Sequence, residues 1–256
     1  MKNLKNKVVF VTGASSGIGK ACAEKFASKG AKVLMCARRK ERIEKLAASL
    51  VKKYKTEVFS FEMDVRNLDV VKETIDSLPA KWKNIEVLLN NAGLSRGLNK
   101  IQDGVLLDWE EMIDTNVKGL LYVTKSVLPY MLKRKSAHII NIGSIAGHEV
   151  YPAGNVYCGS KHAVDAITKG MRLDLAGTSV RVSTVDPGMV NTEFSLVRYR
   201  GDKQRADATY NGMQPLKGED IADAVSFIAT RDENTVIAEM IIFPKAQASA
   251  MVTHRK

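Results

Sequence analysis

The sequence has no uncharged apolar run of about 18 residues, the length a helix needs to cross a bilayer, so no membrane span is expected. Its 256 residues hold only three cysteines, Cys22, Cys36 and Cys158, an odd and scattered set without C-x-x-C spacing or a paired histidine. That pattern indicates neither a disulfide framework nor a metal site, and it points to a reducing, cytoplasmic compartment. There is no internal repeat, no low-complexity tract and no Pro/Gly linker, so residues 1–256 read as a single domain. With 45% hydrophobic and 26% charged residues, disorder, a collagen-like repeat and a coiled coil are excluded. A chain of this length buries about three quarters of its unfolded surface and needs no covalent staple.

The N-terminus imitates a secretory leader and then departs from one. Lys2, Lys5 and Lys7 precede the uncharged stretch Val8 to Gly19, and Ala21-Cys22-Ala23 resembles a cleavage site. However, Thr12 to Gly19 is small, polar and Gly-rich rather than apolar, and Lys20 abuts the supposed site. The net charge of +11, from 39 Lys+Arg against 28 Asp+Glu, is spread along the whole chain among acidic neighbours. This reads as a solvated basic surface; a nucleic-acid footprint would cluster its cations on one face.

What is present is an alternation. Short apolar, β-branched runs recur at Lys7–Thr12, Lys32–Cys36, Glu57–Met63, Val87–Asn90, His138–Ile142, Arg181–Asp186 and Met240–Phe243. Amphipathic segments separate them: Gly19–Lys29, Lys40–Lys53, Asp69–Leu78, Trp109–Lys133, Val156–Leu175 and Gly218–Ala229, the fourth kinked or shortened by Pro129. About seven strands alternating with helices predict an α/β chain with a doubly wound, largely parallel sheet. The least regular stretch, Pro187 to Pro215, is too long for a plain connection and reads as a lid over a site, at about 188–215.

Residues Lys7 to Lys20, KVVFVTGASSGIGK, run from a strand through a Gly-rich turn into a helix, with the spacing Gly13-x-x-x-Gly17-x-Gly19. Glycines let the backbone approach a diphosphate closely, and a helix N-terminus attracts the anion with unpaired N–H groups and its dipole. Ser15 and Ser16 add hydroxyl donors, and Ile18 opens the helix beside them. The same loop also serves as a plain tight turn between strand and helix, and the second strand tips the balance. It ends in Arg38-Arg39, about 20 residues past the loop, where an acid would bind the ribose 2′-hydroxyl of NAD. Two guanidiniums in that place suit the additional 2′-phosphate of NADP.

In Asn155-Val156-Tyr157-Cys158-Gly159-Ser160-Lys161 a tyrosine and a lysine lie four apart, on one helix face, and Ser144 stands thirteen residues before the tyrosine in NIGSIAG. With TGASSGIG, Asn90-Asn91-Ala92-Gly93 and Asn116, in this order and spacing over essentially the whole chain, the sequence resembles the short-chain dehydrogenase/reductase family. The resemblance implies that Tyr157 is the general acid/base and that Ser144 holds the substrate hydroxyl or carbonyl. It assigns Lys161 to the nicotinamide ribose and Asn116 to a water relaying protons to Lys161. It also implies cofactor contacts for Gly13, Ser15, Ser16, Gly17, Ile18, Gly19, Arg38, Arg39, Asp64, Val65, Asn91, Ala92, Gly93, Pro187, Gly188, Val190 and Thr192. Asp64 as a helix N-cap and Asn91 as a strand-end brace are roles that can coexist with those contacts.

The stretches TEFSLVRYRG, LPAKWKNIEVLLNNAGL and SIAGHEVYPAGNVYC resemble the subgroup of NADP-dependent 3-hydroxy acid dehydrogenases, including L-serine 3-dehydrogenases. The subgroup implies oxidation of L-serine, 3-hydroxypropionate or 3-hydroxyisobutyrate, reduction of 3-oxo acids such as malonic semialdehyde, and a homotetramer. In that assembly the helices bearing Asn116 and Tyr157, the last strand and the apolar tail Met240 to Met251 lie at subunit contacts. A small hydroxy acid carries a carboxylate that an apolar pocket has to neutralise, and Arg198 and Arg200 stand in the expected lid. Pairing of these arginines with acids at the surface or at a subunit contact is the competing expectation. His148, Glu149, Tyr151 and Met189 are further candidates for the substrate pocket, by proximity to Ser144 and Pro187. A 3-oxoacyl-thioester or broad carbonyl reductase of the same family, and an NADP-binding regulator without catalysis, remain the alternative readings.

Overall fold

In the computed structural model, residues 3–256 are described; Met1 and Lys2, the latter part of the leader-like basic head, lie outside the described residues. The seven apolar runs become seven parallel strands: β1 (Val8–Thr12), β2 (Lys32–Ala37), β3 (Val58–Glu62), β4 (Ile85–Asn90), β5 (Ala137–Ile142), β6 (Val180–Pro187) and β7 (Glu239–Ile242). They form one sheet in the order β3-β2-β1-β4-β5-β6-β7. A parallel sheet covered on both faces buries every side chain of its inner strands, which is why β1, β4 and β5 are buried along their whole length and mostly apolar rather than alternating. The two edge strands, β3 and β7, are only partly covered.

Helices α1 (Gly17–Ser28), α2 (Lys40–Tyr54) and α3 (Leu68–Ser77) follow β1, β2 and β3. The pleat sends Val9 and Val11 of β1 to one face, where they meet Phe26 of α1 and Ile43 of α2. Val8 and Phe10 go to the other, against Ile75 of α3. Helix α9 (Gly218–Ala229) completes the first layer with Ile221, Val225 and Ile228, and Val123 and Val127 contribute to the second.

Two expected elements differ. The single helix expected over 109–133 is α4 (Leu106–Ile113) and α5 (Gly119–Met131), joined through a π-helical turn, Asp114–Lys118. The turn widens where α5 passes β3's end: a Cβ on Gly119 would lie 2.7 Å from Val65 Cγ2. Pro129 sits in the last turn of α5, which ends two residues beyond it. The stretch 187–215 is not structureless either, for it contains α7 (Glu193–Arg198) and α8 (Lys203–Ala208). Its two stems are tied by a bridge between Val190 and Leu216, with Asn191 N–H donating to Leu216 O at 2.8 Å. The long helix α6 (Asn155–Asp174) precedes β6.

The chain winds outward from β1 to β3, then resumes on the other side with β4. Between β1 and β4 the strand order reverses, so the loops leaving their C-terminal ends diverge and open a crevice. Among the described residues no helix is long and apolar enough to cross a membrane.

Candidate active site

The crevice is a cavity of about 670 Å³ above the C-terminal ends of the strands. Its floor at the first turn is backbone. Gly13 has φ +66° and a Cβ there would lie 2.8 Å from Ala92 Cα, while Gly17, φ +54°, opens α1. Gly19 does not line the cavity; a Cβ on it would overlap the Asn91 amide and the Gly13 carbonyl, so its role is to let the turn close. Asn91 in turn donates from Nδ2 to Thr12 O at 2.8 Å and to Gly13 O at 3.2 Å, bracing β4 against β1 beneath the mouth.

Ser15, Ser16 and Ile18 line the cavity at the start of α1, together with Arg38 and Arg39 from the end of β2. Arg39 donates to Ser15 Oγ at 3.0 Å, to Ser16 Oγ at 2.7 Å and to Glu193 Oε2 at 2.7 Å. Glu193 also receives Arg42 at 2.6 Å, and although burial works against its charge these two guanidiniums hold the carboxyl below the usual range. Arg38 lies 3.5 Å from Glu111. Asp64 and Val65 form the neighbouring wall, with Asp64 gripped by Arg66 Nη2 at 2.6 Å. Burial disfavours that carboxylate, yet Arg66 lowers its pKa overall.

The other half of the cavity carries Ser144, Tyr157 and Lys161. Ser144 caps a short turn, Ile145–Gly147, at the end of β5, its Oγ accepting Ala146 N–H at 3.1 Å and donating to Pro187 O at 3.4 Å. Tyr157 and Lys161 project from the first two turns of α6, both buried. Lys161 Nζ donates to Ile142 O at 3.0 Å, and burial brings its pKa down to about 8 against the pull of Asp186. Burial pushes the Tyr157 phenol up, and Tyr151 adds to this; Arg198 and the Ser144 hydroxyl work in the opposite direction. Asn116 is behind the cavity wall, in the π-helical turn, accepting Leu94 N–H at 2.9 Å and donating to Leu94 O at 2.9 Å and Ser160 Oγ at 3.0 Å.

The segment after β6 supplies Met189, Val190, Thr192 and Arg198 to the cavity, with Pro187 and Gly188 at its base. Arg198 is stacked with its Cζ 5.3 Å from the Tyr157 ring centroid and 5.1 Å from that of Phe194. Its Nε donates to Ser95 Oγ and its Nη2 to the Tyr151 hydroxyl, each at 3.1 Å, whereas Nη1 makes no hydrogen bond among the described residues.

Three expected pocket residues are turned elsewhere. Arg200, φ +52° just past the end of α7, points outward to pair with Asp108. His148 lies on the far side of the Ser144 turn, 3.3 Å from Glu239 and 3.6 Å from Asp186. Glu149 likewise leaves the pocket and accepts Ala250 N–H at 2.7 Å. Conversely, Arg96, Phe194, Tyr210 and Gln247 line the cavity without having been anticipated. Gln247 accepts Met189 N–H at 2.8 Å, so the C-terminal tail is tied to the base of the segment that follows β6.

A dinucleotide fits these donors: a glycine cradle that a Cβ would fill, a helix N-terminus and hydroxyls for the diphosphate, and guanidiniums at the adenosine end. The comparisons agree. A family model described as short chain dehydrogenase matches residues 7–201. An NADP-dependent 3-hydroxy acid dehydrogenase of Schizosaccharomyces pombe is 43% identical over 100% of this chain and 99% of its own. Sulfoacetaldehyde reductase 2 of Chromohalobacter salexigens is 41% identical over 94% of this chain and 95% of its own. Among solved structures, the closed form of a serine dehydrogenase complexed with NADP+ superimposes with a TM-score of 0.90 at 41% identity, covering 97% of this chain and all of that one. Fold, crevice and relatives together establish that the chain belongs to the short-chain dehydrogenase family of oxidoreductases.

Proposed function

We propose that the protein is an NADP-dependent dehydrogenase of short 3-hydroxy acids, oxidising the 3-hydroxyl of L-serine, 3-hydroxypropionate or 3-hydroxyisobutyrate and reducing 3-oxo acids such as malonic semialdehyde. The observation that carries the substrate class is Arg198, a half-buried guanidinium beside Tyr157 in the cavity that also holds Ser144. A partly desolvated charge there favours an anionic partner, and Arg offers two parallel N–H donors to a carboxylate. A 3-hydroxy acid, serine and sulfoacetaldehyde, the compounds in the relatives' names, all carry an anionic group a short distance from the reacting carbon.

NADP is supported by the absence of an acid at the end of β2, where Arg38 and Arg39 face the mouth instead. When bound, the nicotinamide accepts or gives the hydride. The chain's own residues do the rest. Ser144 hydrogen-bonds the substrate oxygen, Tyr157 takes or returns its proton, and Arg198 orients the carboxylate. A tyrosine of ordinary pKa near 10 is a poor base at neutral pH, and burial alone makes it poorer. The Lys161 ammonium and Arg198 offset this by stabilising the phenolate. Asn116 lies near Lys161, since a Cβ on Gly93 would be 3.2 Å from Asn116 Oδ1 and 3.7 Å from Lys161 Nζ, which supports a water relay between them.

The reading extends to the whole molecule. Exposed Leu107 on α4, Leu173 on α6 and Ile241 on β7 support a homotetramer, although Met251 in the tail stays exposed in the single chain. Three free, buried cysteines suit a cytoplasmic enzyme.

The test is the absorbance change at 340 nm with NADP+ or NAD+ and a panel of 3-hydroxy acids, uncharged secondary alcohols and acyl thioesters. Turnover of the hydroxy acids with NADP+, lowered by about 10²- to 10⁴-fold in Tyr157→Phe, is expected. Turnover confined to alcohols or thioesters overturns the substrate class, and none at all favours an NADP-binding regulator.

A further inference from the structure

The turn that presents Ser144 is held from beneath by a buried carboxylate. Ser144 N–H donates to Asp186 Oδ1 at 3.1 Å, and the Thr184 hydroxyl donates to the same oxygen at 3.0 Å. Asp186, in β6, is 1% exposed. It approaches so closely that residue 143 has to be glycine, since a Cβ there would overlap Oδ1. Its other oxygen, Oδ2, accepts no hydrogen bond among the described residues. That oxygen faces His148 Nε2 at 3.6 Å, and the same nitrogen lies 3.3 Å from Glu239 Oε1 in β7. His148 ends the short turn that Ser144 begins, so the imidazole and the serine hydroxyl belong to one rigid piece of backbone.

Nothing in the hydride-transfer scheme uses this cluster, yet a buried carboxylate with one oxygen unmatched is costly unless a proton or cation stands opposite. The facing groups are few. His148 comes from the turn, Glu239 from β7 and Thr184 from β6. From α6, Lys161 feels Asp186, and Lys169 feels Glu239. Burial pushes the Asp186 carboxyl up to about 6; His148 and Thr184 draw it down, and Glu239 opposes them. The carboxylate is therefore charged above about pH 6 and gains a proton as the pH falls through that value.

Resting on the reading that Ser144 holds the reacting oxygen, we propose that Asp186 is a positioning residue, which in its charged form pins the Ser144 backbone, and that His148 sets the pH at which it does so. A charged acceptor makes a stronger hydrogen bond to the serine N–H than a neutral one. Protonation of Asp186 slackens the turn and lets the hydroxyl drift from the substrate oxygen. His148 acts at one remove, through Asp186, and touches no substrate.

Three variants and one spectroscopic readout test this. In the wild type, kcat falls on the acid side with a midpoint near pH 6. In Asp186→Asn, kcat is about 10- to 100-fold lower and that acid limb is gone, while NADPH affinity is unchanged. In His148→Phe the limb moves to higher pH, because the group that favours the anion has been removed. Independently of turnover, the Ser144 amide proton of ¹⁵N-serine-labelled protein titrates near pH 6 in the wild type and not in Asp186→Asn. If the wild type turned over no 3-hydroxy acid, the functional reading would fail and the amide titration would still decide the inference. An amide signal that ignores pH, an acid limb kept in Asp186→Asn, or loss of NADPH binding in that variant overturns the proposal. His148, Asp186 and Glu239 offer ligand atoms within 4.8 Å of one another. Stabilisation of the wild type by equimolar zinc, absent in Glu239→Gln, would therefore replace the proton with a metal and also overturn it.

Discussion

A half-buried guanidinium packed against the rings of Tyr157 and Phe194, which themselves meet edge-on, with Nε and Nη2 engaged and Nη1 without a hydrogen bond among the described residues, has given up part of its water without gaining an acid. Such a charge favours an anionic ligand strongly, because a charge-assisted hydrogen bond contributes about 1.5–3 kcal/mol. Arg198→Ala should accordingly raise KM for 3-hydroxy acids by about 10- to 100-fold and leave KM for uncharged alcohols little changed. Equal effects on both substrate classes, read from initial rates, would confine Arg198 to the Tyr157 phenolate and deny it the carboxylate. At this scale the sequence announced side-chain type but not direction. Arg198 and Arg200 stand two apart, but α7 ends between them. The left-handed backbone at Arg200 swings its side chain to Asp108, so only Arg198 reaches the cavity. His148 was legible as a neighbour of Ser144, and its placement beneath the turn depends on Asp186 and Glu239, far along the chain.

Among the elements, α7 links the two halves of the cavity lining: Glu193 at its start takes both Arg39 and Arg42, and Arg198 at its end packs on Tyr157. These pairs are at the surface and contribute no more than about 1 kcal/mol to folding. Their larger effect is expected on the ligand, because in the proposed NADP site Arg39 takes the 2′-phosphate and Glu193 occupies that guanidinium. Glu193→Gln is thus expected to tighten NADPH binding several-fold, measured by fluorescence titration at fixed salt, with a melting temperature within about 4 °C of the wild type. Weaker binding would mean that the pair serves to hold the lid closed over the cofactor. The alternation of strands and helices was legible because a parallel sheet covered on both sides needs continuous apolar runs. The break at 114–118 was not: apolar residues continue through Met112, Ile113, Val117 and Leu120 at helical spacing. The π turn is imposed from outside, by Val65 against Gly119 and by Leu94 on the Asn116 amide. Helices α7 and α8, six residues each, are too short to be stable alone and take their order from the lid's tertiary contacts.

For the molecule as a whole, the reversal of strand order between β1 and β4 brings stretches far apart in the sequence to one crevice. The Gly turn, the paired arginines, Ser144, and the Tyr157 and Lys161 pair are each readable from local spacing. What they surround is not, since Gln247, from the last ten residues of the chain, accepts Met189 N–H at the cavity wall and has no motif to mark it. The central claim is that this crevice moves a hydride between the C3 carbon of a short hydroxy acid and NADP while Tyr157 moves the proton. It is tested most directly with 3-hydroxypropionate deuterated at C3, incubated with the protein and NADP+, and the dinucleotide weighed by mass spectrometry. The account predicts NADPH heavier by one deuterium, formed at a rate that collapses in Tyr157→Phe. Reduced dinucleotide without deuterium, or transfer undiminished in Tyr157→Phe, would contradict it.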